Sequence, residues 1–312
     1  MSTEDMKAED LTVEAQKTDE ELLYSGDEIL PPTNEFKRFL RVFSSRKIVL
    51  FGVAVVLITI ILAIFADIIV PDPYAQDLKN VLSKPSGENL LGTDSIGRDL
   101  LTRIIHGSRI ALLVGLGSVV IASIVGSVIG LIAGFAGGWV EVIIMRATDA
   151  IMALPPIMLA LLISAVMGGG VKGVIIAISV AILPGYIRLI CGQVLSLKQN
   201  DYVTAEVSMG ASNARIMFKH LLPNCLSPLI VQMTMMMGLA ILTEASLSFL
   251  SMGITPPTAA WGAMVYDGYK YLLTNPLLSL APGLAIMLLV FAFNMVGDGL
   301  RDALDPKLRG AL

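Results

Sequence analysis

In this 312-residue chain, three places set polar side chains at spacings able to do chemistry. Asp94, Arg98, Asp99 and Arg103 put opposite charges three to five residues apart, a pattern suited to an ion-pair network that braces a loop against the helix after it. Residues 201–224 form one compact polar segment between apolar stretches and read as a short helix, a break at Gly210 and a second helix. Thr204, Ala205 and Glu206 before the break, and Arg215, Lys219, His220, Leu222 and Pro223 after it, suit docking of a soluble partner rather than bond-making. Ala205, Met209, Ile216 and Met217 would form a small apolar knob flanked by Glu206, Arg215 and Lys219. Glu244 stands alone in an apolar run, where an ionisable group is costly and faces a cavity or a partner, or snorkels to the membrane surface. Met236 belongs to a methionine-rich face, Pro155 opens a Pro-Pro break, and Asn294 lies one turn before Asp298. With Glu244 they are the candidates for a substrate path, against plain packing, kinking and ion pairing at a helix end.

Catalytic chemistry has no such constellation. The sequence contains no G-x-x-x-x-G-K-[ST] phosphate loop and no H-E-x-x-H pair, and His106 and His220 are isolated from other metal-ligating types. No metal site is expected. Cys191 and Cys225 read as inert buried thiols.

The elements that must position these residues are apolar helices. Hydrophobic residues make up 55 % and charged residues 15 % of the chain, and mean hydropathy is +0.76; soluble domains average about 25 % charged. A bilayer core about 30 Å thick needs about 20 apolar helical residues, and six stretches satisfy or approach this: 48–70, 110–135, 142–167, 171–195, 226–250 and 280–300. Gly126, Gly130 and Gly134 repeat a small-xxx-small spacing that predicts close helix approach.

Ten acids against Lys7 and Lys17 give residues 1–34 a charge of about −8, leaving a mildly basic remainder of the net −4 chain. This segment reads as a disordered acidic cytoplasmic tail without a signal peptide. Residues 35–47 read as an interfacial amphipathic helix, with Phe36, Phe39, Leu40 and Phe43 on one face and Lys37, Arg38, Arg41 and Arg46 supplying charge. The basic cluster places the start of the first span, 48–70, in the cytoplasm. Residues 71–109 then form an external loop, and 110–303 a core of five further spans that includes the cytoplasmic 201–224 loop. Residues 304–312 are a cytoplasmic C-terminus. The basic residues of the 71–109 loop, Lys79, Lys84, Arg98, Arg103 and Arg109, run against this orientation.

Thr204-Ala205-Glu206, Gly210 and His220-Leu221-Leu222-Pro223 resemble in spacing the EAA motif of ATP-binding-cassette importer permeases, with Thr204, Glu206 and His220 in place of the usual Glu, Ala and Ile. Residues 91–103, with Gly92, Thr93, Asp94, Gly97, Arg98, Asp99 and Arg103, and then Gly107 and Arg109, are similar to the signature of dipeptide, oligopeptide and nickel permeases. Residues 244–250, Pro256-Pro257, Trp261-Gly262, Pro282-Gly283 and 297–306 resemble the C-type subunit of that family, with Ser251 where glycine is usual.

The resemblance implies an all-α polytopic membrane protein with six transmembrane helices in the type I, methionine-importer-like permease fold, lying in a bacterial or archaeal cytoplasmic membrane. It implies a homologous B-type permease, two ABC ATPase subunits and an extracytoplasmic solute-binding protein as partners, besides the lipid bilayer, and no nucleic acid. ATP and magnesium would sit on the ATPases, with no cofactor on this chain. Dipeptides or oligopeptides are the expected cargo, with nickel chelates, glutathione or another small solute as alternatives. In such a permease the 91–103 charges have a second reading, capture of a peptide terminus. An ATP-independent carrier or channel is the distant alternative, for which no clear inverted repeat is found. A membrane-anchored enzyme lacks a polar catalytic domain.

Overall fold

A computed structural model describes residues 35–304, with side chains from 39 onward; the expected acidic tail and the residues after Leu304 lie outside them. The described residues divide into two units after Arg41. Helix α1, Glu35–Ser45, runs across this boundary, and everything from α2 onward belongs to the second unit. Among the described residues there is no β-strand, only an isolated bridge between Thr93 and Asp99.

Five long apolar helices are able to cross a membrane: α2 (Lys47–Ile69), α3 (Leu100–Ala136), α6 (Gly170–Leu197), α10 (Leu226–Phe249) and α12 (Leu277–Leu304). Between α3 and α6 lie α4 (Gly138–Met152) and α5 (Pro156–Met167), bent by 87° from each other. The expected span 142–167 is therefore not one straight helix, and the total is five to six spans. Pro155 and Pro156 cause the break, because neither has an N–H to continue the ladder. Pro184 and Pro282, by contrast, sit inside continuous helices.

A second correction concerns α3, which starts at Leu100 rather than Ile110. The Asp99 carboxylate accepts from the Thr102 backbone N–H at 2.7 Å and caps the helix, and Arg103 and His106 lie buried within its first turns. At 1.5 Å per residue its length is roughly 55 Å, longer than a hydrocarbon core, so a charged first segment stands beyond the apolar stretch.

Helix α3 packs most extensively on α6, and the glycine repeat is the reason. A Cβ on Gly126 would lie 2.5 Å from Tyr186 Cβ, on Gly130 2.6 Å from Ile187 O, and on Gly134 2.8 Å from Val194 Cβ. Helices α10 and α12 approach in the same way at Gly238 and Gly297, and α2 lies on α12 at Gly52. The outer faces are apolar and exposed, as at Ile58, Ile64 and Ile68 of α2 and Leu113, Leu116 and Ile124 of α3, which suits contact with lipid.

The bundle has two chemically different ends. At one, the Arg46–Asp302 ion pair (3.0 Å) joins the start of α2 to the end of α12, and Lys198 Nζ, just after α6, donates to Phe135 O at the end of α3 (2.7 Å). At the other, Arg109 near the start of α3 donates to Ile64 O and Ala63 O near the end of α2 and pairs with Asp67 at 2.9 Å.

Candidate functional site

The 201–224 segment lies at the first end. Helix α7 (Asp201–Ser208) ends in Gly210, whose φ of 77° is the left-handed turn that glycine adopts without a Cβ penalty. The second arm is not the plain helix expected. After α8 (Asn213–Arg215), capped by Ser212, residues Ile216–Leu221 form a π-helical turn, followed by α9 (Leu222–Asn224). Pro223 follows the π-helical turn directly within a continuous run of helical backbone, so the chain there lacks one ladder N–H.

Val203, Ile216 and Leu221 are buried in the main core, with Met217 and Leu222 packed partly buried against it. This corrects the expected knob: Ile216 and Met217 form its base. The exposed apolar residues of this arm are Ala205 and Met209 (73 % exposed), one turn apart on one face, and Val207 (57 %) on the other side of α7. Thr204, Arg215 and Lys219 are exposed around it. Glu206 Oε1 and His220 Nε2 approach to 3.4 Å across the glycine break, so two departures from the usual motif face each other. Cys225, just past α9, is buried, and burial pushes its thiol up to about 11, the state of an unreactive cysteine.

At the opposite end the 91–103 motif is folded on itself. Asp94 accepts from the backbone N–H groups of Ile96 and Arg98 at 3.0 Å and pairs with Arg98 Nε at 2.6 Å and Arg103 Nε at 3.8 Å. Arg103 also donates to Pro73 O and Pro257 O. Gly92 and Gly97 have φ of 81° and 78°, and a Cβ on either would meet a carbonyl within 2.3 Å. Thr93, 1 % exposed, accepts from Ser83 N and donates to Asn80 O. The network ties the loop to α3, as expected, except that Asp99 caps the helix instead of pairing. Trp261, at the start of α11 (Trp261–Tyr269), donates to Ile104 O at 2.8 Å and lies over Gly107.

The four path candidates are not brought together. Glu244 is 1 % exposed and accepts from Ser248 Oγ at 2.8 Å, which itself accepts from Ile254 N at 2.9 Å; it is not snorkelling to a surface. Met236 packs against the core. Pro155 is exposed at the α4–α5 break, and Asn294 is exposed on α12, its amide oxygen near Gly238 of α10.

A large cavity of mixed polar and apolar lining lies elsewhere. It has a volume of about 830 Å³ and opens between α6, the α9–α10 junction and α12 at the 201–224 end, lined among others by Gln193, Asn224, Ser227, Gln232, Met235 and Arg301. The sequence held a signal for it: Gln193 and Gln232 are amides inside apolar spans, and in a bilayer such groups face a partner or water.

Five to six helices able to cross a membrane, carrying a folded polar element at one end, define a polytopic membrane protein. Residues 126–310 match the family described as binding-protein-dependent transport system inner membrane component, and residues 34–85 match the N-terminal TM domain of oligopeptide transport permease C. A di/tripeptide transport system permease protein of Pseudomonas aeruginosa is 43 % identical over 92 % of this chain and 97 % of its own length. A dipeptide transport system permease protein of Alkalihalophilus pseudofirmus is 40 % identical over 89 % and 94 %. A glutathione transport system permease protein of Pectobacterium atrosepticum is 41 % identical over 89 % and 92 %. The chain belongs to the binding-protein-dependent family of inner membrane permeases, and is a transport subunit rather than an enzyme.

Proposed function

We propose that this chain is half of the translocation path of an ATP-driven importer of dipeptides or short oligopeptides, coupled to ATPase subunits through residues 201–224. The observation that carries the reading is the exposed Ala205–Met209 face, with Val207 exposed on the other side of α7, on an arm whose base is buried in the core of the bundle. An exposed apolar surface on a buried base suits a protein partner, and here the base is packed into the core through Val203, Ile216 and Leu221. The di/tripeptide and dipeptide names of two relatives support the cargo, and glutathione, itself a tripeptide-sized anion, is the second reading favoured by the third.

A homologous B-type permease completes the path, two ATPases bind ATP and magnesium, and a solute-binding protein delivers cargo at the 91–103 end. ATPase closure moves the 201–224 element, α6 and α10 turn to open the path outward, and hydrolysis resets the inward state. Both termini are cytoplasmic in the inner membrane. Of the basic residues in the opposite loop, Arg98 and Arg103 share Asp94 and Arg109 pairs with Asp67, while Lys79 and Lys84 still run against this orientation. The complex purified with its partners and sealed into liposomes takes up a labelled dipeptide only with ATP and the binding protein. Uptake by this chain without an ATPase, unchanged after ATP depletion, would sink the reading.

A further inference from the structure

The cavity at the 201–224 end has an uneven charge. Among the described residues lining it, Arg301 is the one ionised side chain and there is no carboxylate; Gln193, Asn224, Ser227 and Gln232 supply uncharged hydrogen-bonding groups. Arg301 is exposed and makes no ion pair among the described residues, whereas its neighbour Asp302 is held by Arg46. Gln232 faces α6, with its amide nitrogen 3.8 Å from where a Cβ on Gly185 would stand. A volume of about 830 Å³ is within the roughly 300–1,000 Å³ of small-molecule sites and is large enough for a short peptide.

We infer that this cavity is the cytoplasmic half of the substrate path and that Arg301 makes it selective for substrates bearing a carboxylate over substrates of net positive charge. The inference rests on the peptide-permease reading for its substrate class. A guanidinium unpaired among the described residues attracts a passing carboxylate and repels a second cation, and in a partly dehydrated cleft this interaction is screened less than in bulk water. Amides and a hydroxyl satisfy the peptide backbone without holding it, because an uncharged donor or acceptor binds weakly enough to release. Glu244, buried and bonded to Ser248 near the other end of α10, takes no part.

The test has two arms on the assembled complex in proteoliposomes. In the first, Gln193→Cys and Gln232→Cys are probed with a membrane-impermeant thiol reagent; native Cys191 and Cys225 are buried. Both positions should label from the 201–224 side in the nucleotide-free complex and lose labelling when the ATPases are trapped closed. Equal labelling in both states, or none in either, overturns the path assignment whatever the cargo. In the second arm, initial uptake of an acidic, a zwitterionic and a dibasic dipeptide is measured, each presented on saturated binding protein. Arg301→Gln should lower the acidic-to-dibasic rate ratio by about three- to tenfold, and Arg301→Lys should restore it in large part. An unchanged ratio, or an equal fall for all three peptides, refutes the role of Arg301. Nucleotide-dependent labelling in a complex that moves no peptide would instead refute the peptide reading and leave the cavity assignment standing.

Discussion

Ser251 follows α10 with φ of 60°, a left-handed conformation that strains a residue with a Cβ. Its family pattern has glycine at this position, and the backbone supplies the reason. Ser251→Gly should raise stability by about 0.5–1 kcal/mol, measured as the unfolding midpoint in detergent; a fall would show that the Ser251 side chain makes a compensating contact. Glu244 acts on the same turn from inside. Through Ser248 it holds Ile254 N, so Glu244→Ala should cost about 1–3 kcal/mol by orphaning a buried hydroxyl, and Glu244→Gln, which keeps an acceptor, should cost clearly less in the same melt. The isolation of Glu244 was legible in the sequence. Its role was not, because the bond to Ser248 and the turn at Ile254 exist only once α10 ends and the chain folds back.

At the scale of elements, spacing was informative and boundaries were not. Gly126, Gly130 and Gly134 pointed to a close helix contact, and α6 lies against all three. Gly130→Ala should therefore destabilise by about 1–3 kcal/mol through overpacking. Gly192→Ala, on the same partner helix but with open space around its Cβ, should be neutral or slightly stabilising. Equal melts for the two variants would contradict the packing. The start of α3 escaped an apolarity count because its first turns carry Arg103, His106 and Arg109, whose charge and polarity are absorbed by Asp94, Asp67 and backbone carbonyls that sequence does not place nearby. The hinge of the 201–224 segment was placed at Gly210, but the π-helical turn after it was not foreseen, since its pattern also fits an α-helix. Gly210 has open space around it and donates to Val207 O. At φ of 77° a Cβ is strained even in open space, so Gly210→Ala should cost about 1–2 kcal/mol in the melt and lower uptake modestly, whereas Gly210→Pro, with φ fixed near about −65° and no N–H, should lower ATP-driven uptake at least about tenfold.

For the whole molecule, function depends on keeping two ends distinct while joining them through one core. The knob is joined to that core by Val203, Ile216 and Leu221, so a load on Met209 reaches the packed bundle without passing through a flexible tether. The cavity is formed by three of the elements at this end, α6, the α9–α10 junction and α12, which are far apart in sequence; no local pattern announces such a site, although its two glutamines are visible. If the knob is the ATPase seat, a charge placed on it must fail there and nowhere else. Val207→Glu combined with Met209→Glu leaves the buried base intact, and should remove the ATPases from the purified complex and abolish ATP-driven uptake while the melting midpoint of the chain stays near its original value. Leu78→Glu supplies the matched change at the opposite end, on a residue of the other loop that is 73 % exposed; the ATPases should remain bound in that variant. Recovery of ATPases with the doubly charged knob, or their loss with Leu78→Glu, would place the motor contact elsewhere on the molecule.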